Sequence, residues 1–305
     1  MPLLPTLLIL ARYVQLDTER SGTWLTRTFR GLLAAVVIVL IAIVAGRAIH
    51  NRKTANHVEK LRRTAETARN DVFKPADLDD VPEPVRNYFE NVLSEGQEYV
   101  GAVHLEQQGR LRIRDADSAW QPFTATQYIT THPPGFVWDA TVRLGSLIDF
   151  QITDSYRDGR GRGTVTLLGV LPLGGDEGNP MLNEGELLRY LAEAVWYPTA
   201  LLPAEGVEWE AVDDATAEAA LTYGGTAAAL TFHFNDNDEV SKVHAEQRPR
   251  RVGGGYEPTP WTGCWDDYVT RNGMRIPTTG EVTWHLPTGD MKAWQGQVSD
   301  ISYCE

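Results

Sequence analysis

The chain has 305 residues, 42% of them hydrophobic, with 9 Trp, 2 Cys and a formal net charge of -13, which suits one large or two modest globular domains and excludes a disulfide-built scaffold. The charge is divided: residues 1–69 hold 11 Lys and Arg against 4 Asp and Glu, and residues 70–305 hold 17 against 37. An acidic body of this kind repels phosphate, which argues against nucleic acid as a partner.

Residues 1–30 form an N-terminal segment that leads into Gly31–Gly46, 16 residues without a charge or polar side chain, ten of them Leu, Ile or Val. Sixteen helical residues rise about 24 Å, short of the roughly 30 Å hydrocarbon core, but the flanking Arg30 and Arg47 can snorkel and bring residues 31–49 into the span. A single-pass transmembrane helix over 31–49 is therefore expected, placing the protein in the cell membrane with lipids around its N-terminal helix. Insertion is favoured by roughly 3 to 6 kcal/mol. A buried core helix and a cleaved signal peptide stay open as alternatives. Arg12, Arg20, Arg27 and Arg30 precede the span, while Arg47, Arg52, Lys53, Lys60, Arg62, Arg63 and Arg69 follow it. Positive-inside counting leans by this small margin toward a cytoplasmic C-terminal body.

Residues 50–73 read as a charged juxtamembrane helix. Val58, Leu61, Ala65, Ala68 and Val72, spaced three and four apart, form a seam that could pair two stalks into a homodimer, although so short a seam also fits a plain spacer. Residues 74–84, with three prolines and four acids, read as a linker. Residues 85–305 are assigned to a β-rich acidic domain.

That domain opens with an amphipathic helix on Val85, Tyr88, Phe89, Val92 and Leu93, after which the pattern changes to period two. Phe136 to Leu144 and Leu147 to Tyr156 alternate apolar and polar residues. A loop at 145–147 would pair Leu144 with Ile148 and Arg143 with Asp149. Further hairpins are expected over Ala227–Ala245, turning at Asn235–Asp238, and over Glu281–Tyr303, turning at Thr288–Asp290, with another tight turn at Asn272-Gly273. Glu184–Pro198 reads as a core-packing helix with Leu187, Leu188, Leu191, Ala194 and Val195 on its apolar face and Glu186, Arg189 and Glu193 on the other. The expected fold class is α+β: an N-terminal transmembrane helix, then a curved, largely antiparallel sheet, half-barrel or barrel-like, with one or two packing helices.

Common catalytic signatures are missing: no nucleophile elbow, phosphate-loop lysine, zincin histidine pair or CxxC occurs. Asp158–Gly163 (DGRGRG) and Gly253–Gly255 read as flexible turns, and Asp236–Asp238 as a hairpin turn rather than a calcium loop. No metal or cofactor site is predicted. His233, His244 and His285 are the histidines a fold could gather. Cys264 and Cys304 lie on expected strands, where two separate thiols are favoured over a disulfide.

Several strings, VPEPVRNYF (Val81 to Phe89), WQPFTATQY (Trp120 to Tyr128), PPGFVWDA (Pro133 to Ala140), RYLAEAVWYPTALLP (Arg189 to Pro203) and YEPTPWTGCWDDY (Tyr256 to Tyr268), resemble an uncharacterised family of membrane-anchored prokaryotic proteins, a domain of unknown function. The resemblance covers nearly all of the chain after residue 80 and implies no activity. Tyr268 to Trp284 (YVTRNGMRIPTTGEVTW) is similar, more loosely, to outer-membrane lipoprotein carriers, which implies a half-barrel sheet under a helical lid.

Three functions follow from the residues. The first is a membrane-anchored binding domain for an apolar or amphiphilic, lipid-like ligand, with Trp138, Trp196, Tyr197, Trp261 and Trp284 as candidate contacts. The second is a carboxylate enzyme using Asp139 and Glu193, each close to a tryptophan able to raise its pKa. The third is a structural or assembly role in the membrane.

Overall fold

The computed structural model describes residues 4–64, 71–112, 115–145 and 148–304. Its first helix, α1 (Leu4–Thr64), takes in the N-terminal segment, the apolar run and most of the juxtamembrane helix without a break. Over Arg27–Arg63 α1 is long and apolar enough to cross a membrane. Leu32, Val36, Ile38, Val39, Ile41 and Val44 are exposed along it, whereas a core helix would bury them. From Gly46 onward the helix packs on the domain. Val58 and Leu61 pack on Val137, with Tyr128 beside them, so these two seam positions are covered by the same chain. Ala65 and Ala68 lie outside the described residues.

At the end of the segment read as the juxtamembrane helix, Val72 bridges to Glu98 and Phe73 is buried rather than helical. In the segment read as a linker, a 3-10 turn over Pro75–Leu78 puts Leu78 in the core. Helix α2 (Glu83–Val92) follows, with Val85, Tyr88, Phe89 and Val92 buried at the expected spacing.

The sheet has thirteen strands, all antiparallel to their neighbours. The first meander is β1 (Ala102–Leu111), β2 (Gln121–Thr130), β3 (Gly135–Leu144), β4 (Ile148–Arg157), β5 (Arg160–Leu167) and β6 (Leu171–Glu177). Helix α3 (Pro180–Glu193) and short 3-10 turns over Ala194–Trp196, Pro198–Leu201 and Pro203–Glu205 then lead to the second. It comprises β7 (Val207–Asp213), β8 (Thr216–Tyr223), β9 (Thr226–Phe234), β10 (Val240–Val252), β11 (Gly255–Arg271), β12 (Met274–Leu286) and β13 (Gly289–Cys304). The two meanders join where β1 pairs with β13, leaving β6 and β7 as edges. The sheet curves enough to bring β6 to the β10–β11 hairpin, where Arg251 Nη2 donates to the Gly175 carbonyl at 3.3 Å and Tyr256 Oη to Asp176 Oδ2 at 3.1 Å.

The expected register of β3 on β4 is found, with Leu144 opposite Ile148 and Arg143 opposite Asp149. So is the Asn272-Gly273 turn, whose residues take φ of 49° and 82°. Cys264 and Cys304 are not neighbours. Cys264 pairs with Glu281, which pairs with Gln295, nine residues along β13 from Cys304, a separation of roughly 30 Å at strand rise. Cys264 is a free thiol.

Helix α3 starts four residues before the expected Glu184, because Asn179 caps it by accepting from the Met181 N–H at 3.0 Å and Pro180 occupies the first helical position. Asn179→Ala should cost about 1 kcal/mol, read as a lower urea midpoint at unchanged m. The helix packs between β4–β5 on one side and β9–β10 on the other. It is covered nearly all round: Leu187, Leu188 and Leu191 are in the core, and so is Glu186, at 8% exposure. The face read as polar therefore points inward.

Candidate functional site

Beneath α3, the concave face of the sheet and the helix line a half-open cavity of about 290 Å3, at the small end of small-molecule sites. Six tryptophans line it: Trp138 from β3, Trp196 from the turn after α3, Trp261 and Trp265 from β11, Trp284 from β12 and Trp294 from β13. Strand alternation puts the strand-borne ones on one face, since Trp261 pairs with Trp284, and Val282 with Trp294.

Charge enters this apolar space in a specific arrangement. Trp138 Nε1 donates to Gln107 Oε1 at 2.8 Å, Gln107 Nε2 to Gln127 Oε1 at 3.5 Å, and Gln127 Nε2 to Glu193 Oε2 at 2.7 Å. Arg189 closes the chain: its Nε donates to Glu193 Oε1 at 2.8 Å and its Nη1 to Asp154 Oδ2 at 3.1 Å. The guanidinium also lies 4.7 Å from the Trp138 ring centroid. A second guanidinium, Arg248, stacks 4.5 Å over Trp261 and 5.5 Å over Trp284.

Burial sets the protonation states. It raises the Glu186 carboxyl to about 8, with Asp154 adding to the shift and Arg189 opposing it. Asp154 is also raised by burial, against the pull of Arg189. Burial lowers Arg248 to about 10 despite Glu186 nearby.

Not every donor is satisfied. The indole N–H groups of Trp196, Trp261 and Trp265 and the Nε of Arg248 and Arg112 are buried without a hydrogen-bond partner, and all five residues line the cavity. A buried polar group left unpaired costs about 1–3 kcal/mol. These donor atoms are themselves covered by protein, and their residues line the cavity through ring faces and other atoms.

The candidate contacts divide accordingly. Trp138, Trp196, Trp261 and Trp284 line the cavity, whereas Tyr197 does not: it is fully buried and its Oη donates to the Tyr190 carbonyl at 3.0 Å. Asp139 and Glu193 are not brought together. Asp139 follows Trp138 on β3 and so faces the outer side, where His50 Nε2 of α1 lies 2.8 Å from Oδ1 and Thr153 Oγ1 donates to it at 2.9 Å. His244 and His285 do approach, with ring centroids 6.2 Å apart and Thr262 between them at 3.1 and 2.7 Å. Among the described residues, no group of three or more His, Cys, Asp or Glu side chains is placed to hold a metal.

A larger depression of about 1180 Å3 is broad and open, lined by Arg110, Thr124, Cys264, Glu281 and Gln295 among others. Its polar groups serve one another: Arg110 Nε donates to Gln295 Oε1 at 2.6 Å, and Lys292 Nζ lies 2.8 Å from Glu281. The smaller cavity, mainly apolar and lined by six tryptophans with a few convergent charged groups, is the better candidate.

A family model described as a family of unknown function, DUF6920, matches residues 79–303. The chain belongs to this family. Solved structures similar to the DUF6920 domain include a LolA superfamily protein from Nitrosomonas europaea, 10% identical, covering 73% of this chain and 92% of that one, at a TM-score of 0.31. A beta-barrel-like protein of domain of unknown function DUF1849 from Brucella abortus is also 10% identical, covering 68% of this chain and 99% of that one, at a TM-score of 0.24. No curated protein matches the chain.

Proposed function

We propose that this DUF6920 protein is a single-pass membrane protein that holds an amphiphilic, lipid-like ligand in the tryptophan-lined cavity under α3. The observation that carries the reading is a half-open, mainly apolar pocket lined by six tryptophans, with the guanidiniums of Arg189 and Arg248 among its few charged groups. An alkyl or acyl portion would lie against the rings, with the polar end of the ligand toward the Arg189 and Arg248 guanidiniums. The exposed apolar stretch of α1 supports a membrane anchor. The charge count leans by a small margin toward a cytoplasmic domain, and in this reading the curled sheet serves as a barrel-like wall with α3 as its cover.

Oleate or a lysophospholipid titrated into the detergent-solubilised chain should change the tryptophan emission saturably. Ala293 lines the cavity, so Ala293→Phe should fill it and weaken that response at least about tenfold, which is about 1.4 kcal/mol. Unchanged emission in the native chain, or equal titrations in both proteins, would overturn the reading.

A further inference from the structure

Where α1 meets the domain, two hairpin tips hold apolar side chains in solvent. The β3–β4 tip exposes Leu144 and Ile148, and the β5–β6 tip exposes Val170, Leu171 and Leu173, the last three at 48–55%. In a strongly acidic body, Thr164 to Gly175 contains no charged residue. Leu168 takes φ 55° at the β5–β6 turn, a left-handed position that leucine occupies only at a cost and that Asn, Asp or Gly would fill easily.

Both tips are fixed to one level of the helix. Arg47 is ion-paired with Asp149, next to Ile148. Gly46 packs so closely on the other tip that a Cβ there would collide with Val170 and stand 2.9 Å from the Gly169 carbonyl. Gly46 is the last residue of the uncharged run. From this point the helix follows the outer face of the sheet through His50 on Asp139 to Leu61 against Gly135. Its apolar part runs the other way, past the tips.

We infer that the β3–β4 and β5–β6 tips form a membrane-docking edge, seated in the headgroup–acyl boundary of the leaflet from which α1 emerges. The inference rests on the reading of α1 as a membrane span. An apolar side chain beside the end of a span lies within the 5–10 Å depth that interfacial segments reach. The occupant is lipid because the patch is continuous with the exposed apolar surface of α1 itself. Docking would hold an acidic domain against a surface that its own charge opposes.

The test uses the full chain in nanodiscs of phosphatidylcholine and phosphatidylglycerol, with Cys264→Ser and Cys304→Ser and one spin label at a time. Labels go on Leu171→Cys, on Ile38→Cys within the span, and on Val212→Cys, an exposed apolar residue of the edge strand β7. The ratio of oxygen to nickel-chelate accessibility at Leu171 should approach that at Ile38 and exceed that at Val212 by about fivefold, and should persist at about 1 M salt, where charge contacts are screened. Leu171→Asp with Leu173→Asp should shift a label at Ile148→Cys toward water.

A water-like ratio at Leu171 with a lipid-like one at Ile38 would overturn docking while leaving the span standing. A water-like ratio at Ile38 would overturn the span, and docking with it. Dipolar coupling between Leu171 labels, with little access to either reagent, would show a second copy of the chain as the occupant and also overturn docking.

Discussion

Arg189→Ala is expected to destabilise the domain by about 3 kcal/mol, the low end of the range for breaking a buried ion pair. One guanidinium serves Glu193 at 2.8 Å and Asp154 at 3.1 Å and lies over the Trp138 ring. Its removal leaves two carboxylates facing each other in an apolar setting. The low end applies because the three side chains keep 13–25% exposure, so water screens part of the loss. Burial alone would lower the Arg189 pKa, but Glu193, Asp154 and Glu186 outweigh it and hold it up. Lysine keeps the charge and loses the two-pronged donor geometry, so Arg189→Lys should fall between wild type and alanine. Urea unfolding of the solubilised chain reads both variants.

The second large effect is a dependence of stability on pH centred on Glu186. Its carboxyl is held at about 8 in the fold by burial and then by Asp154, against about 4.3 in an unfolded chain. Between these values the folded protein keeps a proton that the unfolded chain releases, so stability falls as pH rises. It levels off below about 4.3 and above about 8, with a slope of up to about 1.4 kcal/mol per pH unit between them. Asp154, also raised by burial, contributes in the same direction. Glu186→Gln keeps a neutral side chain of the same shape and removes the Glu186 part. The difference in melting temperature between variant and wild type should grow in the variant's favour from pH 5 to pH 8. A constant difference would place an ionised Glu186 in the fold.

Local pattern was readable where a short stretch determines its own structure. The alternation of Phe136 to Leu144, folded back over a short turn, specified the register of Arg143 on Asp149, and Asn272-Gly273 announced its turn. Strand β6 was harder, because LPLGGDE mixes glycine and acids and lacks a buried face. The richness of the sheet in aromatics pointed to the cavity, and Trp265 and Trp294 line it beside the candidate contacts Trp138, Trp196, Trp261 and Trp284. The charged cluster was hidden for a physical reason. Glu186, Arg189 and Glu193 have the spacing of a solvent-facing stripe on a helix, and only the curl of the sheet around α3 turns that stripe inward. Arg189 and Glu193 at i and i+4 were the local trace of it. The docking of α1 was equally out of reach, because Arg47 meets Asp149 and His50 meets Asp139 across about a hundred residues of sequence.

The most direct measurement is native mass spectrometry of the full chain released from nanodiscs, comparing wild type with Ala293→Phe. A lipid-like ligand in the tryptophan cavity predicts a one-to-one adduct on the wild-type protein, with the mass of a single amphiphile, that is lost from the variant while the fold is retained. The same spectrum from both proteins, with no adduct or with adducts indifferent to the substitution, would contradict it.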